Sequence, residues 1–199
     1  MVKIGVLVSG GGTNLQALID AQKSGIIKHG EISLVISNKK NAYALTRAEE
    51  NNIKTAVVIK KDYADARAFE NAIIELLEEN SIGLIVLAGF MCILSAEFTK
   101  KYENRIINVH PSLIPSFCGE GFYGLHVHEA ALAYGVKVTG ATVHFVNEIP
   151  DGGKIIAQKA VEIQDGDTPE TLQRRVMENA EWKILPMATE QICKEMVGE

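Results

Sequence analysis

Cysteine is scarce in this chain of 199 residues and, at three, odd in number. Cys92, Cys118 and Cys193 are widely spaced and form no C-x-x-C pair. Neither a disulfide framework nor a zinc site is expected, and the thiols read as reduced, in a reducing compartment. Positive charge is short as well: a formal net charge of −5 gives no footprint for a general nucleic-acid binder. Any anionic ligand must then be held by local donors. No apolar run approaches the ~18–20 residues of a membrane span. The apolar start, Val2–Val8, is too short for a secretory leader and runs straight into glycines, so it reads as a strand. With 47% apolar and 23% charged residues the chain has the composition of an ordinary globular protein, and disorder is not expected. One cytoplasmic domain over residues 1–199 is the simplest organisation.

What is present is an alternation of strands and helices. Val2–Val8 ends at Ser9-Gly10-Gly11-Gly12-Thr13-Asn14, and from Leu15 apolar residues recur with a helical period to about Lys23. Strands are expected at 32–36, 55–59 and 84–88, the last continuously apolar as in a parallel sheet covered on both faces. Helices are expected at 42–51 and 66–79, the second carrying Phe69, Ile73, Leu76 and Leu77 on one stripe. Ser95 is a candidate N-cap for a short helix to Tyr102. After a glycine-rich loop at 118–124, read as a mobile or ligand-covering segment, a helix is expected at 126–134. Alternating residues at 137–147, a Pro150-Asp151-Gly152-Gly153 turn and a run at 155–161 read as an antiparallel hairpin. Thr168-Pro169-Glu170 starts a final helical region, bent or interrupted near Pro186. The fold class is α/β: an open, mostly parallel twisted sheet with helices on both faces and an antiparallel extension in the C-terminal half.

Chemistry concentrates at Asn108-Val109-His110-Pro111. Ile106 and Ile107 read as a buried strand whose pairing Pro111 and Pro115 stop. Two residues apart on extended backbone, Asn108 and His110 point to one face, at a strand end where α/β proteins commonly bind substrate. Alone, they could equally satisfy loop carbonyls. The glycine turn lacks the Walker lysine, and Leu15 occupies the third glycine position of a dinucleotide fingerprint. What remains is a helix N-terminus with free N–H groups beside Thr13 and Asn14, suited to one phosphate group, or a turn that needs glycine only for its tightness. His29 reads as a surface residue and His144 as a packed core histidine. His126 and His128 fall on different helix faces, so they do not form a metal site. His110 is left as the acid–base candidate, and Asp151 is by itself an ordinary turn residue.

Three separated stretches together resemble the phosphoribosylglycinamide formyltransferase family of folate-dependent enzymes, over nearly the whole chain. They are Ser9 through Leu15; Ala88-Gly89-Phe90-Met91-Cys92-Ile93-Leu94 followed by Asn108 through Leu113; and His144 through Gly153. The resemblance implies a Rossmann-like formyltransferase fold and formyl transfer from 10-formyltetrahydrofolate to the amine of glycinamide ribonucleotide, with no metal. It puts Asn108, His110 and Asp151 at catalytic positions and Gly12, Thr13 and Asn14 at the substrate phosphate, with Glu181 helping to hold the substrate amine. Arg67, Met91, Cys92, Ile93, Leu94 and Asn108 fall on the folate side. Asp151 is then expected to raise the His110 pKa. Residues 1–102 would form a phosphate- and substrate-binding half and 103–199 a catalytic and folate-binding half. A monomer or homodimer with small-molecule substrates, and no nucleic-acid or membrane partner, is implied. Two departures stand out: Cys92 where the family often has arginine, and a longer loop at 118–124. The nearest rival is a formyltetrahydrofolate deformylase, which uses water in place of the amine. A methionyl-tRNA formyltransferase would need more length and basicity.

Overall fold

In a computed structural model describing residues 1–199, one seven-stranded sheet runs through the chain in the order β3-β2-β1-β4-β5-β6-β7. The strands are β1 (Val2–Val8), β2 (Gly30–Ser37), β3 (Lys54–Val57), β4 (Leu84–Leu87), β5 (Ile106–His110), β6 (Val138–Phe145) and β7 (Ile155–Glu162). The first five pair in parallel; β6 is antiparallel to both β5 and β7. The doubly wound sheet with an antiparallel extension is therefore as the alternation predicts.

Helices α1 (Thr13–Lys23), α2 (Tyr43–Glu50), α3 (Ala66–Glu79), α4 (Ala96–Lys101), α5 (Leu125–Tyr134), α6 (Pro169–Val176) and α7 (Trp182–Val197) cover the sheet. Two apolar layers result. The larger contains Ile4, Val6, Leu15, Leu18, Val86, Ile107, Val143 and Leu185; the other contains Leu7, Ile36, Phe69, Ile73, Leu77, Ile85, Phe98 and Ile106. Alternate residues of β1, β4 and β5 feed opposite layers, which is why these strands read as unbroken apolar runs.

Local chemistry sets the boundaries. Thr168 caps α6 reciprocally with Thr171, with Pro169 in the first turn. Ser95 caps α4 by accepting from the Phe98 N–H. The final helical region departs from expectation. Pro186 lies inside a continuous α7, and the irregularity falls earlier, in a π-type turn at Met177–Glu181. The N–H that Pro186 lacks would have bonded the Trp182 carbonyl, immediately after that wide turn, where the bonding pattern is already shifted. His29 is half-buried, its ring between Glu190 and Glu199 at 2.6 and 3.0 Å, and so fastens the chain end to the start of β2.

Strand order reverses between β1 and β4. The crevice outside the carboxyl ends of these strands is where such sheets bind ligands, and the loops after β1, β4 and β5 all open there.

Candidate active site

Asn108 and His110 sit at the carboxyl end of β5, and the antiparallel register sets Asn108 opposite His144 and His110 opposite Thr142. His144 is buried. Its Nδ1 lies 2.7 Å from the Phe145 carbonyl and its Nε2 3.2 Å from Asn108 Nδ2. With Nδ1–H donated to that carbonyl, a neutral ring leaves Nε2 to accept from the Asn108 amide, which keeps a second N–H for the cleft, whereas a protonated ring turns an Nε2–H toward Asp151. The expectation of a packed, hydrogen-bonded histidine holds, but its position was missed: His144 belongs to the site.

The 150–153 turn folds over the same strand ends. Asp151, at φ 56°, places Oδ2 3.4 Å from His110 Nδ1 and Oδ1 3.5 Å from His144 Nε2. Gly153 makes this possible, since a Cβ there would lie 1.7 Å from the Phe145 carbonyl oxygen. The 118–124 loop is docked on the pair. The Gly119 N–H donates to Asp151 Oδ2 at 2.9 Å, and His110 Nε2 lies 2.8 Å from the Phe117 carbonyl. Phe117 packs edge-on against Phe122 and Tyr134, which seats the loop. Sequence gave no sign of the Phe117 and Gly119 contacts, because backbone groups donate and accept whatever the side chain.

Burial pushes the His110 pKa down, and this outweighs the upward pull of Asp151 and the Phe117 carbonyl. The expected rise from Asp151 is thus present but overruled. Burial alone would raise Asp151, yet His144, His110 and the Gly119 N–H hold its carboxyl below the ordinary value. Burial and the neighbouring His144 thus weigh against a charged His110 ring more than Asp151 and the Phe117 carbonyl favour it. His128, fully buried behind, has no partner on either ring nitrogen and is lowered to about 4, chiefly by burial. His126 is exposed and pairs with Glu129 at 2.9 Å.

Asn108, His144 and Asp151 border a cleft of about 130 Å³ with Phe90, Cys92, Ile93, Leu94, Val146 and Ile149. Cys92, Ile93 and Leu94 thus share the cleft with the catalytic candidates. Met91 is half-exposed and outside that lining, its N–H fixed by Ser9 Oγ at 2.8 Å. Arg67 stands apart: its side chain is 77% exposed and faces Glu97 at 3.8 Å.

The glycine turn begins α1 at Thr13, with Gly12 at φ 71° as a residue that has no side chain to cap it. Thr13 Oγ1 faces Met177 Sδ at 3.8 Å, and Asn14 Nδ2 donates to Glu181 Oε2 at 2.7 Å. Glu181 sits buried in the π-type turn; burial pushes its pKa up to about 7, with Asn14 pulling back. Asn14 Oδ1 is buried without a partner. The turn, Asn14 and Glu181 therefore form one cluster, linked to the cleft loop through Ser9.

Residues 2–189 match the formyl transferase family model. Phosphoribosylglycinamide formyltransferase of Haemophilus influenzae is 43% identical over 187 residues, 94% of this chain and 85% of that protein. The structure of glycinamide ribonucleotide transformylase 1 from Symbiobacterium toebii superposes with a TM-score of 0.92 at 40% identity, covering 98% of this chain and 89% of that one. The trifunctional purine biosynthetic protein adenosine-3 of Gallus gallus is 48% identical over 192 residues, of whose length this chain spans only 18%. Fold and cleft define a formyl transferase. Within that class, the chain belongs to the phosphoribosylglycinamide formyltransferase family.

Proposed function

We propose that this chain transfers the formyl group of 10-formyltetrahydrofolate to the amine of N1-(5-phospho-D-ribosyl)glycinamide, a step of de novo purine (IMP) biosynthesis. The observation that carries the reading is the convergence of Asn108, His144 and Asp151 at one cleft, with the buried His110 joined to it through Asp151. The amine attacks the formyl carbon, a new C–N bond forms, and the bond to the folate nitrogen breaks. Negative charge develops on the formyl oxygen, where the free Asn108 N–H and a ring N–H of His110 act as donors; each well-placed donor is worth roughly 3–4 kcal/mol. The proton leaving the amine passes by way of His110, directly or through water, to the departing folate nitrogen.

His110 needs a ring nitrogen for this, and both are engaged, one by Phe117 and one by Asp151. The Phe117 carbonyl therefore has to yield its bond when substrate arrives, while Asp151 keeps the ring oriented. The glycine turn suits the substrate phosphate, and Glu181 with the unpartnered Asn14 Oδ1 supplies acceptors for the amine or ribose hydroxyls. Cys92, Ile93 and Leu94 suit the pterin, so the folate cleft draws on both halves of the chain. The exposed Arg67 fits a contact with the folate tail.

The test is formyl transfer with 10-formyltetrahydrofolate and, separately, glycinamide ribonucleotide, tRNA or water alone. Turnover that depends on glycinamide ribonucleotide is expected; equal turnover with water alone would make the chain a deformylase instead.

A further inference from the structure

Helix α2 braces the glycine turn from outside. A Cβ on Gly12 would lie 2.6 Å from the Ala44 Cβ, so the turn rests directly on this helix. Two of its carbonyls are claimed by α2: the Ala44 N–H donates to Gly10 O at 3.1 Å, and Arg47 Nε donates to Gly11 O at 2.9 Å. The half-buried Arg47 guanidinium also donates through Nη1 to Gln16 Oε1 on α1 at 3.0 Å, and it lies 4.9 Å from the centre of the Tyr43 ring. One planar fork thus joins the turn and both helices.

The geometry of the peptide unit turns this into a statement about donors. In a trans peptide the N–H points opposite to the C=O. Drawing the Gly10 and Gly11 carbonyls toward α2 therefore aims the Gly11 and Gly12 N–H groups away from it. Neither N–H has a partner within the chain. With Gly12 in the left-handed region, these successive N–H groups form the kind of concavity that receives an anion.

We propose that Arg47 is a positioning residue of the phosphate turn, aiming the Gly12 N–H by holding the Gly11 carbonyl while its charge sits behind the bound anion. This rests on reading the turn as the substrate-phosphate site. Arg47 touches neither reacting atom, so it governs binding of the phosphorylated amine and leaves the chemical step and the folate side alone.

The experiment combines calorimetric titration with ribose 5-phosphate and steady-state kinetics for wild type, Arg47→Ala and Arg47→Lys. Arg47→Ala should weaken ribose 5-phosphate and raise the KM for the phosphorylated amine by roughly tenfold to a hundredfold. The kcat and the KM for 10-formyltetrahydrofolate should stay at wild-type values. Arg47→Lys keeps a charge and the aliphatic stem but not the fork, so it should restore only part of the affinity; it also serves as the test if Arg47→Ala does not fold. Full restoration by lysine would overturn the aiming role, and unchanged affinity in Arg47→Ala would overturn the proposal outright. A wild-type protein that does not bind ribose 5-phosphate would instead remove the phosphate reading on which the proposal stands.

Discussion

His110 lies between a carbonyl and a carboxylate, and His144 between a carbonyl and an amide. The two rings consequently do different work. His110 can carry a proton, whereas His144 fixes which way the Asn108 amide faces. His110→Ala should reduce kcat by roughly 10²–10⁴-fold, as loss of a general acid–base group does, with substrate affinities changing little. His144→Ala frees the Asn108 amide and should cost less, roughly 10-fold in kcat, since one donor is disordered and not deleted. Steady-state kinetics of both variants check the order, and a larger loss from His144→Ala would reverse these roles. The two-residue spacing of Asn108 and His110 was legible in the sequence, because strand periodicity fixes which side chains share a face. The place of His144 was not. Its meeting with Asn108 depends on the β5–β6 register across 36 residues, and no local pattern encodes that.

Two irregular elements shape the ligand side. The 118–124 loop, expected as a mobile or ligand-covering segment, is seated by Phe117 just before it; its Gly119 occupies Asp151, and the Phe117 carbonyl occupies His110. The π-type turn at Met177–Glu181 carries Glu181 into the cluster with Asn14; sequence pointed instead to Pro186, since a wide turn leaves no residue signature comparable to proline's. Glu181 makes a prediction with a definite sign. Its pKa in the folded chain, raised to about 7, lies above the ordinary 4.5, so the folded state binds more protons in between. Its contribution to stability is therefore greatest below pH ~4.5 and falls as pH rises toward 7. Glu181→Gln keeps an acceptor for the Asn14 amide and removes that titration. Urea unfolding from pH 4.5 to 8 should show the variant gaining on wild type as pH rises; a constant difference would mean that Glu181 is not protonated in the fold.

The whole molecule is a single sheet whose carboxyl ends gather the glycine turn, the cleft loop and the Asn108–His110 pair. This much follows from strand and helix alternation and from glycine and proline placement. Side-chain pairings across the crevice, such as Asn14 with Glu181, join residues 167 apart and come from packing alone. Acid acts at His128 in the sense opposite to Glu181. His128, lowered to about 4, binds protons more readily when unfolded, so stability is lost as pH falls from ~6.5 toward 4, by up to roughly 3 kcal/mol. His128→Leu should flatten this part of the acid-unfolding curve, measured by denaturant midpoints across that range. An unchanged slope would assign the acid sensitivity elsewhere.

The catalytic assignment turns most directly on Asp151, a cleft residue whose carboxylate faces both histidines. Asp151→Asn keeps its shape but loses the charge that supports a proton on His110. The decisive measurement is turnover with 10-formyltetrahydrofolate and glycinamide ribonucleotide, alongside equilibrium affinity for each substrate. The cluster as described predicts a kcat lower by roughly 10²–10⁴-fold with affinities within a few-fold of wild type, whereas near-normal turnover would contradict it.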